Sequence, residues 1–118
     1  MIRILGVDPG LRHTGWGVIA MDGPRLTWIA HGVIKPDKDA DMADRLAELC
    51  EELRAVVDAH APDEAAVEET FVNINPRSTL LLGQARGAAL ATLAGAKLKV
   101  AEFAATKVKQ SVVGTGAA

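Results

Sequence analysis

Two carboxylates, Asp8 and Glu68, each come directly after a short apolar run, at residues 2–7 and 65–67. Such runs are typical of strands buried in a sheet, and the functional groups of open α/β sheets gather at the carboxyl ends of the strands. If a crossover helix sets these two strands side by side, the carboxylates converge, and a divalent cation such as Mg²⁺ or Mn²⁺ offsets their repulsion. The pattern favours a metal site at Asp8 and Glu68. The alternative is an ordinary turn at the first and an ordinary strand-end charge at the second.

The other titratable side chains are weaker candidates for this chemistry. Glu69 follows the second carboxylate directly, so on a strand it points to the opposite face. His31 and His60 have no partners at ligand spacing and are interpreted as structural. His13 lies in the turn after the first run and could approach the metal site.

The hydrophobic pattern predicts the elements that position these groups. Apolar runs bounded by turn residues predict strands at 2–7, 14–20, 26–34, 65–67 and 98–101. Helices are predicted at 42–60, 78–94 and 106–114. The first three strands are joined by short turns, whereas the later ones alternate with helices. The expected fold class is α/β: a mixed five-stranded sheet, with three antiparallel strands followed by parallel crossovers, and helices on both faces.

Length and composition indicate a single domain over residues 1–118. The 49% of hydrophobic residues is enough for a core and excludes a disordered chain. No apolar run approaches the roughly 18 residues of a membrane span, and the opening residues do not form a signal peptide. The one cysteine, Cys50, cannot form an internal disulfide and has no neighbours typical of a nucleophile. We therefore expect a soluble, cytoplasmic protein.

Charge is unevenly distributed along the chain. Residues 1–69 carry 7 basic and 14 acidic side chains, whereas residues 70–118 carry 6 basic side chains and a single acidic one, Glu102. Phosphate binding needs a local positive face and not a high overall isoelectric point. The second part of the chain therefore leaves a nucleic-acid partner open, with ordinary surface charge as the alternative.

Five segments together resemble the RuvC family of Holliday-junction resolvases. They are ILGVDPG at 4–10, TGWGV at 14–18, AVEETF at 66–71, LGQARG at 82–87 and VKQSVVGTG at 108–116. The resemblance covers nearly the whole chain. It implies a ribonuclease H-like fold, a homodimer, and Mg²⁺-dependent nicking of two opposed strands of a four-way DNA junction in recombination and repair. It also implies association with a branch-migration helicase.

The resemblance assigns roles to particular residues. The family's first two metal-binding carboxylates correspond to Asp8 and Glu68, with Mg²⁺ or Mn²⁺ bound as a pair of ions. Phe71 falls where the family places a DNA-contacting aromatic, with a hydrophobic plug as the alternative. Lys109 matches a basic residue near the phosphates. The basic second part adds Arg86 and Lys107 as DNA contacts, although Arg86 could equally pair with an acidic residue of a neighbouring helix.

Two further expectations concern the chain's end and its second helix. The family's other two carboxylates lie on a C-terminal helix that this sequence does not contain, so we expect a truncated domain that is inactive alone. The helix at 78–94 is rich in small residues, including Gly83 and Gly87. We expect it to form the dimer contact. The alternative is that these small residues fit the helix against its own sheet.

Two other functions fit parts of the same pattern. The actin–hexokinase superfamily shares the β-meander and an Asp at the same strand end, but uses it around ATP phosphates. A non-catalytic nucleic-acid-binding module would use the basic second part without the carboxylates.

Overall fold

A computed structural model of the chain describes residues 1–10, 12–69 and 75–103. Its five strands are β1 (Ile2–Asp8), β2 (Thr14–Asp22), β3 (Arg25–Ile34), β4 (Glu64–Glu68) and β5 (Lys99–Phe103). Its two helices are α1 (Met42–His60) and α2 (Pro76–Gly95). All five predicted strands and the first two predicted helices are confirmed, mostly one or two residues longer than expected. The helix predicted at 106–114 lies outside the described residues.

The strands form one mixed sheet in the order β3-β2-β1-β4-β5. β1 pairs with β2, and β2 with β3, in antiparallel fashion. β1 pairs with β4, and β4 with β5, in parallel. The predicted topology of a three-stranded meander followed by parallel crossovers is therefore confirmed, and β1 lies at the centre of the sheet.

Both described helices pack on the same face of the sheet. The core between sheet and helices contains Leu5, Val7, Val18, Ile34, Leu49, Leu53, Val57, Ala65, Val67, Ala85, Ala89 and Leu93. The expectation of helices on both faces also involves the helix predicted at 106–114, which lies outside the described residues, so it stays a prediction. The opposite face, to which Ile4, Gly6 and Asp8 belong, is covered by neither α1 nor α2, and we call it the open face.

Local hydrogen bonds fix where α1 ends and where α2 begins. Ala61 adopts the left-handed conformation (φ 46°) and donates its N–H to the carbonyl of Val57, so α1 ends there, just before Pro62. At the start of α2, the Asn75 side chain accepts hydrogen bonds from the N–H groups of Arg77 and Ser78. This cap fixes where α2 begins, eight residues after the end of β4.

No helix in the part of the chain that the structure describes is both long and apolar enough to cross a membrane.

A close approach at Gly32 holds β3 under the Trp16 ring. The two residues are opposite each other in the β2–β3 ladder. A Cβ at Gly32 would lie 2.7 Å from Cζ2 and 2.8 Å from Cε2 of Trp16. On its other side the Trp16 ring lies 5.5 Å from the ring of His60, centroid to centroid. The ring therefore has little room to move away from β3.

We expect Gly32→Ala to lower the free energy of unfolding by about 1–3 kcal/mol, because the added methyl group overlaps a packed aromatic ring. The measurement is urea unfolding followed by circular dichroism. Gly17→Ala is the matched control, since its Cβ would make ordinary contacts, 3.7 Å from Cη2 of Trp28 and 3.8 Å from the Ala30 carbonyl oxygen. Equal stabilities of the two variants would contradict the packing argument.

Candidate functional site

The structure brings Asp8 and Glu68 together on neighbouring strands. Val7 and Val67 are partners in the parallel β1–β4 ladder, and the two carboxylates are the next residue on each strand. Adjacent strands lie roughly 4.8 Å apart. Both carboxylates line one cavity of about 280 Å³ on the open face. The predicted convergence of these two side chains is therefore present in the folded protein.

Small residues make a recess directly beneath the carboxylates. Gly6 is opposite Gly17 of β2 on one side and opposite Ala66 of β4 on the other. All three line the cavity, and the ring of Trp28 lies over Gly17 at its wall. Sequence analysis missed this recess. The signal was present as Gly6 in one strand and Gly15 and Gly17 in the next, but only the ladder register shows that Gly6 and Gly17 are neighbours.

The turn after β1 depends on Gly10. A Cβ at this position would overlap the backbone carbonyl of His13, so no other residue fits without moving the turn. Pro9 is buried beside it, whereas Asp8 and His13 are exposed. Gly10 therefore allows the backbone to pass close to His13, and Asp8, the last residue of β1, presents its carboxylate at the strand end.

The donor set suits a hard divalent cation. Two carboxylates offer oxygen ligands, and Mg²⁺ in proteins is often held by one or two carboxylates, with water and substrate phosphate completing its shell. Within residues 1–10, 12–69 and 75–103, no cluster of three or more Asp, Glu, His or Cys side chains could hold a metal. The residues present therefore fit Mg²⁺ or Mn²⁺ as a two-carboxylate site.

The other titratable residues lie elsewhere. Glu69 is exposed, and its N–H donates a hydrogen bond of 2.6 Å to the Phe103 carbonyl. The rings of His31 and Trp28 are 5.2 Å apart, while His60 lies against Trp16. These contacts agree with the structural interpretation of both histidines. Cys50 sits between the helices, with Sγ 3.8 Å from the Ala88 carbonyl oxygen.

Arg86 forms an ion pair within the fold. Its guanidinium group donates from Nη2 to Glu102 Oε1, forming an ion pair between α2 and β5. The expected alternative for Arg86 was an acidic partner on a helix, whereas the partner found here lies on a strand. Phe71, Lys107 and Lys109 lie outside the described residues.

Comparison with known proteins agrees with these features. The family model described as "Crossover junction endodeoxyribonuclease RuvC" matches residues 4–118. The chain is 62% identical to the protein of that name from Caulobacter vibrioides, over 98% of this chain and 69% of the relative. It is also 62% identical to the one from Hyphomonas neptunium, over 99% of this chain and 70% of the relative.

Among solved structures, "T. thermophilus RuvC in complex with Holliday junction substrate" superimposes with a TM-score of 0.87 and 28% identity, covering 100% of this chain and 72% of that one. The shared architecture is the ribonuclease H-like sheet with its meander and parallel crossovers. Sequence, fold and paired carboxylates lead to one conclusion: the chain belongs to the RuvC family of crossover junction endodeoxyribonucleases.

Proposed function

We propose that this protein is a structure-specific DNA endonuclease that resolves Holliday junctions by nicking opposed strands during recombination and repair. The observation that carries this function is the pair of carboxylates, Asp8 and Glu68, on neighbouring strand ends above one recess. Membership of a family of endodeoxyribonucleases argues against both alternatives, an ATP-binding domain and a non-catalytic nucleic-acid module.

Asp8 and Glu68 hold the divalent cations that the family's chemistry requires. We propose Mg²⁺ as the ion, with Mn²⁺ as a substitute and two ions at each site. Ions held by Asp8 and Glu68 would supply an activated water and would stabilise the leaving 3′-oxygen of the phosphodiester. The protein contributes two fixed negative charges, held by paired strands whose separation cannot change without breaking the ladder. An incoming phosphate can then complete the ligand set that the two carboxylates begin.

We propose that DNA is held by Phe71, Lys107 and Lys109. Phe71 is three residues beyond Glu68, between the end of β4 and the start of α2, and the described residues on both sides of this segment are held by hydrogen bonds. Glu69 is hydrogen-bonded to Phe103 at one end, and Asn75 caps α2 at the other. An aromatic ring there could stack on an unpaired base at the junction, worth roughly 1–3 kcal/mol. Association with a branch-migration helicase stays a prediction.

The dimer proposed for this chain uses the outer surface of α2. Leu80, Gly83, Gly87 and Ala91 are exposed at helical spacing. A Cβ added at Gly83 or Gly87 would meet nothing within 4 Å, so these glycines are not needed for packing against the chain's own sheet. Ala85, Ala89 and Leu93 perform that packing on the other side of the helix. A two-fold dimer would place two identical sites at a fixed separation, as paired cuts require.

We expect Asp8→Asn and Glu68→Gln each to weaken Mn²⁺ binding by about tenfold or more, because each removes one of two anionic ligands. The affinity is measured by electron paramagnetic resonance titration. Glu64→Gln is the matched control: it removes a carboxylate from the same strand, four residues before Glu68. If all three variants bind Mn²⁺ as the wild type does, the two carboxylates are not metal ligands.

The chain is expected to bind a four-way junction in preference to a linear duplex of the same sequence, and Asp8→Asn should retain this preference. Binding is measured by gel shift with unlabelled competitor. Because residues 1–118 are expected to be inactive alone, strand nicking in Mg²⁺ is followed on labelled strands with a form of the protein that also carries the family's C-terminal helix. Nicking that persists in Asp8→Asn at the wild-type rate would refute the catalytic role of Asp8. A wild-type chain without any junction preference would refute the substrate.

We expect Gly87→Arg to give a folded monomer, because the new side chain would lie in the proposed contact between two α2 helices. The measurements are sedimentation for mass and circular dichroism for folding. Gly95→Arg adds the same side chain at another open glycine of α2 and serves as control. A folded Gly87→Arg dimer would show that the interface lies elsewhere.

A further inference from the structure

The ion pair between Arg86 and Glu102 joins the helix layer to the edge of the sheet. The Arg86 side chain is only 18% exposed, and that of Glu102 is 48% exposed. β5 is an edge strand, so it has a ladder partner on one side only within the described sheet. The ion pair therefore ties the free edge of the sheet to α2.

The position of Glu102 on β5 relates this tie to Glu68. In the β4–β5 ladder Glu102 is opposite Val67, and Phe103 is opposite Glu68. The ladder ends with the hydrogen bond from the Glu69 N–H to the Phe103 carbonyl. Glu102 and Phe103, the last two residues of β5, thus pair with the part of β4 that carries the Glu68 carboxylate.

The surroundings of the Arg86 guanidinium group show that it is mostly buried in the fold. Arg86 Nε is buried and has no hydrogen-bond partner among the described residues. A buried cation with an unused donor is unfavourable, and its pairing with Glu102 is what offsets that cost. A side chain held in this way has only a small part of its surface available to a DNA phosphate.

We propose that Arg86 is a positioning residue for the metal site: through Glu102 it fixes the end of β5, and β5 in turn holds Glu68 in place beside Asp8. Arg86 acts on Glu68 and not on DNA. This inference rests on the proposed role of Asp8 and Glu68 as metal ligands.

The sign of the charge effect makes the proposal testable. Charge alone predicts opposite outcomes: removing the cation in Arg86→Gln should tighten Mn²⁺ binding, and removing the anion in Glu102→Gln should weaken it. Positioning predicts that both variants bind Mn²⁺ about tenfold more weakly. It also predicts that the double variant, Arg86→Gln with Glu102→Gln, binds Mn²⁺ no more weakly than either single variant, because the two residues act as one unit. Lys99→Gln on β5 and Glu64→Gln on β4 each remove a charge at the far end of this ladder from Glu102. Both should leave the Mn²⁺ affinity unchanged.

Two further measurements separate the possible outcomes. Glu102→Gln, whose side chain is half exposed, should speed hydrogen exchange of the Glu69 amide while leaving that of Leu5 in β1 unchanged, whether or not metal binds. The salt dependence of junction binding should keep its slope in Arg86→Gln. A slope lower by about one unit would make Arg86 a phosphate ligand and overturn the proposal.

If Asp8→Asn weakens Mn²⁺ binding but Arg86→Gln leaves it unchanged or makes it tighter, the proposal is overturned. If Asp8→Asn has no effect on Mn²⁺ affinity, the metal site itself is refuted, and the positioning role falls with it. Unchanged exchange of the Glu69 amide in Glu102→Gln contradicts the structural half of the inference independently of metal.

Discussion

The parallel pairing of β1 with β4 is the constraint on which the site depends. Val7 and Val67 are partners in this ladder and are both buried on the helix side of the sheet. Side chains alternate along a strand, so Asp8 and Glu68 must both lie on the open face. A slip of one residue would carry Glu68 to the helix side and bury its charge in the core. The same hydrophobic contacts that stabilise the fold thus set the register that brings the carboxylates together.

The two carboxylates differ in how firmly the fold supports them. Asp8 belongs to the central strand, which pairs with β2 on one side and with β4 on the other. Glu68 belongs to β4, whose outer neighbour β5 is an edge strand. Edge strands are held by fewer backbone hydrogen bonds, and contacts from another layer make up the difference. α2 supplies such contacts here, so the helix layer contributes to a site on the opposite face of the sheet.

Strands, helices and the paired carboxylates could be predicted because each depends on local pattern. Apolar runs that end at a charged residue mark the strands, and the crossover between them follows from topology rules. The face taken by α2 could not be predicted, since its small apolar residues surround the helix and mark no single buried side. The Arg86–Glu102 pair spans sixteen residues between a helix and a strand, a separation at which no sequence periodicity applies. The glycine recess needs the register between strands, which composition does not contain.

The two tryptophans of this chain lie on opposite faces of one sheet. Trp16 is packed against His60 over the helix-side core, whereas Trp28 is 59% exposed and lines the cavity that contains Asp8. The chain has no tyrosine, so its aromatic fluorescence comes from these two indole rings, one beside the carboxylates and one against the helix-side core. A change in the fluorescence of Trp28 would therefore report on the site, and a change in that of Trp16 would report on the core.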